Sequence, residues 1–215
     1  MTVTQLLQRI HSLYEGDTSY PEASSDDYSL RLALLNNGVD VHADEPHEWE
    51  ELYSEDATQT TASGTNSYDK PDDYRRPTKS RYLKIAYTAG TLYYRYVSKK
   101  KAMQLLANGK TSDRFYWFAG TKFYISPTPD ETSKTITLPY IADPDYLVDT
   151  TDVPQLTRPL FLVYYVLSVL YEQDLRTDMV TYYQSKAAEQ MSYMVEDVEI
   201  DQLEEDGSES AGFGV

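Results

Sequence analysis

Leu160-Phe161-Leu162-Val163-Tyr164-Tyr165-Val166-Leu167-Ser168-Val169-Leu170-Tyr171 is apolar almost all the way round a helix. Such a helix is either covered by protein on most sides or lies in a membrane. Twelve residues fall short of the roughly 20 needed to span a bilayer, so the stretch reads as a buried core helix. Asp152 is placed to cap it, with Pro154 as its rigid start. Asp174 and Thr177-Asp178 mark a stop and a new start. Beyond them Val180, Tyr183, Ala187, Met191, Met194 and Val198 recur at spacings of 3, 4, 4, 3 and 4, a one-faced helical stripe. Gln184, Lys186, Glu189 and Glu196 lie off it. Residues 154–198 therefore predict two helices meeting at a tight corner, with the rest of the chain arranged around them.

The N-terminal region supplies further helices. Thr2 with Gln5 can form a capping box for a helix over 4–15, with Val3, Leu6, Leu7, Ile10, Leu13 and Tyr14 on its apolar face and Gly16 at its end. Ser24 and Ser25 can cap a second helix carrying Tyr28, Leu32, Leu35 and Val39. Asn36-Asn37-Gly38 would often stop a helix, although the apolar spacing can carry on into Val41. Pro46, Trp49, Leu52 and Tyr53 predict a short helical piece. Residues 54–81 are polar and poor in bulky apolar side chains, and read as a long loop. A connection of that length is usually functional or held by a partner.

From Tyr82 the pattern turns to strands. Tyr82–Tyr87, Leu92–Val97, Arg114–Trp117, Lys122–Ile125 and Lys134–Tyr140 are aromatic or β-branched and bounded by turn residues. A helix from Lys99 to Ala107, capped by Ser98 and closed by Asn108-Gly109, interrupts them. The fold class expected is α+β, mainly α: a helical bundle with an inserted small antiparallel β region and an extended C-terminal arm. The divisions are N-terminal helices 1–53, the loop 54–81, the β region 82–150, the helix pair 151–198 and a flexible acidic arm 199–215.

The 215 residues carry a net charge of −16, unevenly spread. Residues 70–122 hold thirteen Lys/Arg against three Asp/Glu, near +10; the remainder holds six against 32, near −26. Opposite signs in one chain suit attraction between neighbouring copies or between parts of one copy, and equally suit mere solubility. There is no cysteine, which excludes disulfides and thiolate chemistry. Met1-Thr2-Val3-Thr4-Gln5 shows neither the basic start nor the apolar run of a signal peptide. Tyrosine is abundant, at 21 residues against 5 Phe and 2 Trp, and its apolar body with a polar tip fits partly wet interfaces.

Signals for catalysis are weak. His11, His42 and His47 all fall in the first fifty residues; His42 and His47 have Asp44, Glu45 and Glu48 nearby, without metalloprotease spacing. No nucleophile elbow or phosphate-binding loop is present. The expectation is no enzyme, no catalytic residue, no cofactor and no metal. Tyr74-Arg75-Arg76 and Lys79-Ser80-Arg81-Tyr82 interleave bases with aromatics, as surfaces that touch nucleic acid do. The strongly acidic chain opposes tight DNA binding, so passing contact in a channel is the compatible form.

One further pattern has a known counterpart. Tyr116-Trp117-Phe118-Ala119-Gly120-Thr121-Lys122-Phe123-Tyr124-Ile125-Ser126-Pro127-Thr128-Pro129 is a strand-turn-strand ending in P-x-P. Ile136–Ile141, Pro144 with Tyr146-Leu147, Asp152-Val153-Pro154, the apolar helix, Asp178, Tyr182-Tyr183 and a long last helix follow in order. This succession, with the N-terminal helices and Trp49, resembles the head-to-tail adaptor (connector) proteins of tailed bacteriophages. The resemblance covers most of the chain, apart from 54–80 and the tail. It implies a structural virion protein of the neck, made in the host cytoplasm. The expected form is a homo-oligomeric, dodecameric ring between the portal protein and the next neck or tail protein, with double-stranded DNA passing through the lumen and no membrane contact. By position, Asp201, Leu203, Phe213 and Val215 would dock on the portal. Arg75, Arg76, Tyr165 and Tyr182 are the expected inter-subunit residues. The alternatives are another neck protein (a stopper or tail-completion protein), an acidic DNA-mimic inhibitor, and an enzyme built on His42 and His47.

Overall fold

The structure, a computed structural model, describes residues 1–17, 21–23, 25–110 and 112–209, with side chains as far as Val198. In chain order its elements are α1 (Val3–Tyr14), α2 (Asp26–Asp44), a single 3-10 turn (Glu50–Leu52), β1 (Tyr53–Asp56), β2 (Ser67–Asp69), β3 (Tyr74–Pro77), β4 (Leu83–Tyr87), β5 (Gly90–Tyr96), α3 (Lys99–Ala107), β6 (Phe115–Ala119), β7 (Lys122–Ser126), β8 (Ile136–Ala142), α4 (Leu160–Gln173) and α5 (Thr177–Glu209). They form two compact units, one of Met1–Glu51 with Pro144–Val215, the other of Leu52–Asp143.

In the helical unit α4 touches α1, α2 and α5. That is why its sequence is apolar on nearly every side, and Phe161, Leu162, Val163, Val166 and Leu167 are all buried. The α5 stripe meets it through buried Tyr183, Ala187 and Met194. The capping box at Thr2 forms, its hydroxyl accepting from the Gln5 amide at 3.3 Å while Gln5 Oε1 accepts from the Thr2 amide at 3.0 Å. Ser25 caps α2 by accepting from the Tyr28 amide at 3.2 Å. Ser24 lies outside the described residues.

The start of α4 and the end of α2 differ from expectation. α4 starts at Leu160 rather than near Pro154, because Pro159 could donate no amide and would clash inside a helix begun earlier. Asp152 instead holds a turn, its Oδ2 accepting from the Val148 and Asp149 amides at 2.8 Å each. α2 runs straight through Asn36-Asn37-Gly38 to Asp44. A Cβ on Gly38 would stand 2.9 Å from Leu162 Cδ2 and 3.0 Å from Tyr165 Cδ1, so this glycine lets α4 approach and does not end the helix. Asn36 faces the same chain turn, its amide donating to the Leu147 carbonyl at 2.9 Å and its Oδ1 accepting from the Leu147 amide at 2.8 Å.

The second unit is an eight-stranded sheet of order β1-β8-β4-β5-β6-β7-β2, with β3 also paired to β8. Every pairing is antiparallel except β5 with β6. A parallel pair needs a crossover, and α3 supplies it. One face of the sheet buries Leu83, Ile85, Tyr94, Tyr116, Phe123, Ile125 and Ile136 together. On the opposite face α3 covers Phe115 and Trp117 of β6 with Ala102, Leu105 and Leu106.

The expected bundle with a small antiparallel β insertion is therefore corrected. The insertion is a large mixed sheet with a core on each face, and the protein is α+β with two units. The underestimate arises in residues 54–81, expected as a loop, which contribute β1, β2 and β3. These strands are three or four residues long, too short for an alternation to stand out, and their partners lie far away in sequence. The polar stretch between β1 and β2 is tied down by backbone pairing: Thr60 bridges Thr135, and the Ile136 amide donates to the Gln59 carbonyl at 3.0 Å. Buried Thr61 donates its hydroxyl to the Glu131 carbonyl at 2.7 Å and accepts from the Lys134 amide at 3.1 Å. At the other end, α5 continues past Val198 to Glu209.

Candidate interaction surfaces

The histidines have structural surroundings. Arg31 Nη1 lies 2.8 Å from His11 Nδ1, and Arg31 also pairs with Glu15 at 3.2 Å. His42 is fully buried, stacks on Trp49 with ring centroids 4.4 Å apart, and has Glu51 3.8 Å away. Trp49 Nε1 donates to the His42 carbonyl at 2.8 Å, and the His47 ring lies 5.4 Å from the indole. The two histidines thus pack a tryptophan. Among the described residues no group of three or more His, Cys, Asp or Glu is placed to hold a metal ion.

The expected inter-subunit residues fall in both units. Arg75 and Arg76 lie on β3, and Arg75 Nη1 pairs with Asp143 at 3.0 Å inside its own unit. Their neighbour Tyr74 is half-buried against Phe118, with Lys70 Nζ 4.4 Å above its ring. Burial drives its hydroxyl pKa upward. Tyr165, half-buried on α4, stacks on Phe161 and closes over Gly38. Tyr182 on α5 is 54% exposed and meets Tyr183 edge-on. Of the α4–α5 tyrosines, Tyr171 and Tyr183 are buried and stack at 5.5 Å with nearly parallel rings. Tyr182 is the one that presents most surface.

Of the residues expected to dock on a portal, Asp201 and Leu203 fall within α5, with side chains outside the described residues. Phe213 and Val215 also lie outside them. Arg158, just ahead of α4, pairs with Asp197 at 3.0 Å. The turns of α5 after Asp197 therefore run past the first residue of α4, which leaves them without that partner helix.

A surface that the sequence reading did not single out lies on the sheet. Strand residues alternate between faces. Leu83 and Ile85 of β4 and Tyr94 of β5 point into one core, so Tyr82, Lys84, Tyr93 and Arg95 belong to the face that carries α3. The helix covers β6 and leaves β4 and β5 bare. Tyr82 and Tyr93 are 52% and 55% exposed and pack edge to face at 6.4 Å. Arg95, two residues along β5 from Tyr93 on the same face, is exposed, as are Lys99, Lys100 and Lys101 at the start of α3, which follows β5 directly. The alternation Tyr93-Tyr94-Arg95 was visible in the sequence, but which parity faces outward depends on the core.

The two units also divide the charge. Leu52–Asp143 has fourteen Lys/Arg and nine Asp/Glu, a net of +5; the helical unit has five and twenty-six, a net of −21. No helix among the described residues is long and apolar enough to cross a membrane. No curated protein matches the chain. A protein-family model described as the SU10 adaptor protein matches residues 1–209.

Proposed function

Since the chain belongs to the SU10 adaptor protein family, and is thereby a structural, virion-associated phage protein that interacts with other head or tail proteins, we propose that it is a head-to-tail adaptor. In this reading twelve copies form a ring at the neck, between the portal and the next neck or tail protein. The subunits assemble from the host cytoplasm, and DNA passes through the lumen during packaging and ejection.

The observation that carries this reading is the family match, which spans both units. The shape of α5 supports a docking arm. At 33 residues it is about 50 Å long, against about 21 Å for the 14 residues of α4, at a rise of about 1.5 Å per residue. Its last turns follow Asp197, the partner of Arg158 ahead of α4, and in the sequence they lead to Phe213 and Val215. Asp201, Leu203, Phe213 and Val215 are the proposed portal contacts. Exposed Tyr182, with Tyr165, Arg75 and Arg76, is assigned to contacts between copies. A helical unit of net −21 facing the lumen would let DNA pass without sticking.

The test is native mass measurement with and without portal rings. The full chain joins a portal ring in multiple copies, and deletion of 199–215 abolishes joining while the circular dichroism of the rest is kept. A truncated chain that docks as well as the full one overturns the arm, and a full chain that never joins in multiple copies overturns the adaptor reading.

A further inference from the structure

We infer that the bare β4–β5 face, together with the lysine-rich start of α3, docks on the acidic helical unit of a second copy of this chain. The inference rests on the multi-copy reading above and gives it a specific surface.

Three observations converge. Tyr82 and Tyr93 stand more than half exposed on a sheet face whose other half is covered by α3. Tyrosine on a flat strand pair offers rigid, amphipathic contact area at low entropy cost and is enriched at interfaces. Arg95 on the same strand, and Lys99, Lys100 and Lys101 where the chain leaves it for α3, have no ion-pair partner among the described residues, whereas Lys84 on this face is held by Glu55 at 3.3 Å. The three lysines also occupy the first turn of α3, which contains no acid. The partial positive charge at a helix start disfavours cations there. Local stability therefore does not explain the cluster, and an anionic partner does.

The occupant follows from charge complementarity. The helical unit carries twenty-six acids against five bases, and every neighbouring copy brings one. Contact between unlike surfaces on identical subunits is heterologous, the kind that closes into rings. Double-stranded DNA is the other polyanion to consider. With charge along its whole length, it would have to approach a chain of net −16, whereas a second copy, of the same net charge, concentrates its acids in one unit and can set that unit against the +5 unit of its neighbour. At physiological salt, charges attract over a Debye length of about 8 Å, so the attraction acts at contact.

The experiment mixes isotopically light and heavy copies on portal rings and applies a carbodiimide, which joins lysine to carboxylate when the two are in contact. The expected result is light-to-heavy cross-links from Lys99, Lys100 or Lys101 to acids within 1–51 or 144–198. The triple variant K99E/K100E/K101E and the single variant Tyr93→Ser keep the fold, since all four side chains are exposed. The triple variant weakens joining between copies about tenfold or more, and the wild type shows a matching loss when salt is raised. Four outcomes overturn the inference while leaving the adaptor reading intact. The first is cross-links from these lysines only to the portal or only within one copy. The second is assembly of the triple variant at wild-type strength. The third is assembly of Tyr93→Ser at wild-type strength. The fourth is DNA retention at physiological salt that the triple variant abolishes while assembly persists. Failure of the wild type to join in multiple copies overturns both.

Discussion

Leu175 sits at the corner between α4 and α5 with φ of 58° and is 88% exposed. A left-handed position after a helix is usually glycine, because a Cβ there crowds the following carbonyl. Leu175 buries almost nothing in return. Leu175→Gly is expected to stabilise the helical unit by about 0.5–1 kcal/mol, read as a higher urea midpoint; a lower midpoint would show that the leucine contributes to packing. Nearby, the Tyr14 hydroxyl donates to Asp174 Oδ2 at 2.7 Å. Burial first, and then this bond to a carboxylate, push its pKa up to about 12. A tyrosine raised above its unfolded value of about 10 contributes stability that is fully present below pH 10 and lost as pH rises toward 12. The unfolding free energy measured across that window should therefore fall less steeply for Tyr14→Phe than for the wild type, and superimposable profiles would show that Tyr14 does not carry the effect.

At the scale of elements, the contact of α2 with α4 depends on one missing side chain. Gly38→Val would place branched carbons where Leu162 and Tyr165 already pack. The overpacking should cost about 1–3 kcal/mol, only partly offset by the better helix propensity of valine. Equilibrium denaturation measures this, and a variant as stable as wild type would mean that α4 shifts freely. The same site shows why the turn signal Asn36-Asn37-Gly38 misleads. The residues that break isolated helices are also those that let two helices come close, and only the neighbour decides between the roles. Pro159 has the opposite character. Its constraint is local and was present in the sequence, yet the capping signal at Asp152 pointed seven residues earlier. The strands of 82–142 were legible because aromatic and β-branched residues alternate over five or more positions. β1, β2 and β3 were not, since their pairing energy comes from backbone bonds to β8 and β7, which leave little trace in side-chain type.

For the molecule as a whole, the two units differ in composition as well as in architecture. The sheet unit is one continuous segment with buried cores on both faces. A fragment of residues 52–143 is therefore expected to fold alone with a strand-rich circular dichroism spectrum and a cooperative thermal transition; a spectrum of an unfolded chain would show that it depends on the helices. The charge asymmetry follows this division, +5 against −21, and the positive unit weighs against a DNA mimic, whose working surface should be uniformly acidic. The sequence by itself determined the buried helix α4, the stripe of α5, the capped ends of α1 and α3, and the kinship with phage adaptors, because each is written in local periodicity, in single capping residues or in the order of elements. Only the tertiary structure decided that the β region is a full mixed sheet, that residues 54–81 belong to it, and that Tyr82, Tyr93 and Arg95 face outward. Those outcomes depend on which strand pairs with which and on what α3 leaves uncovered, and both are set by contacts between residues distant in the chain.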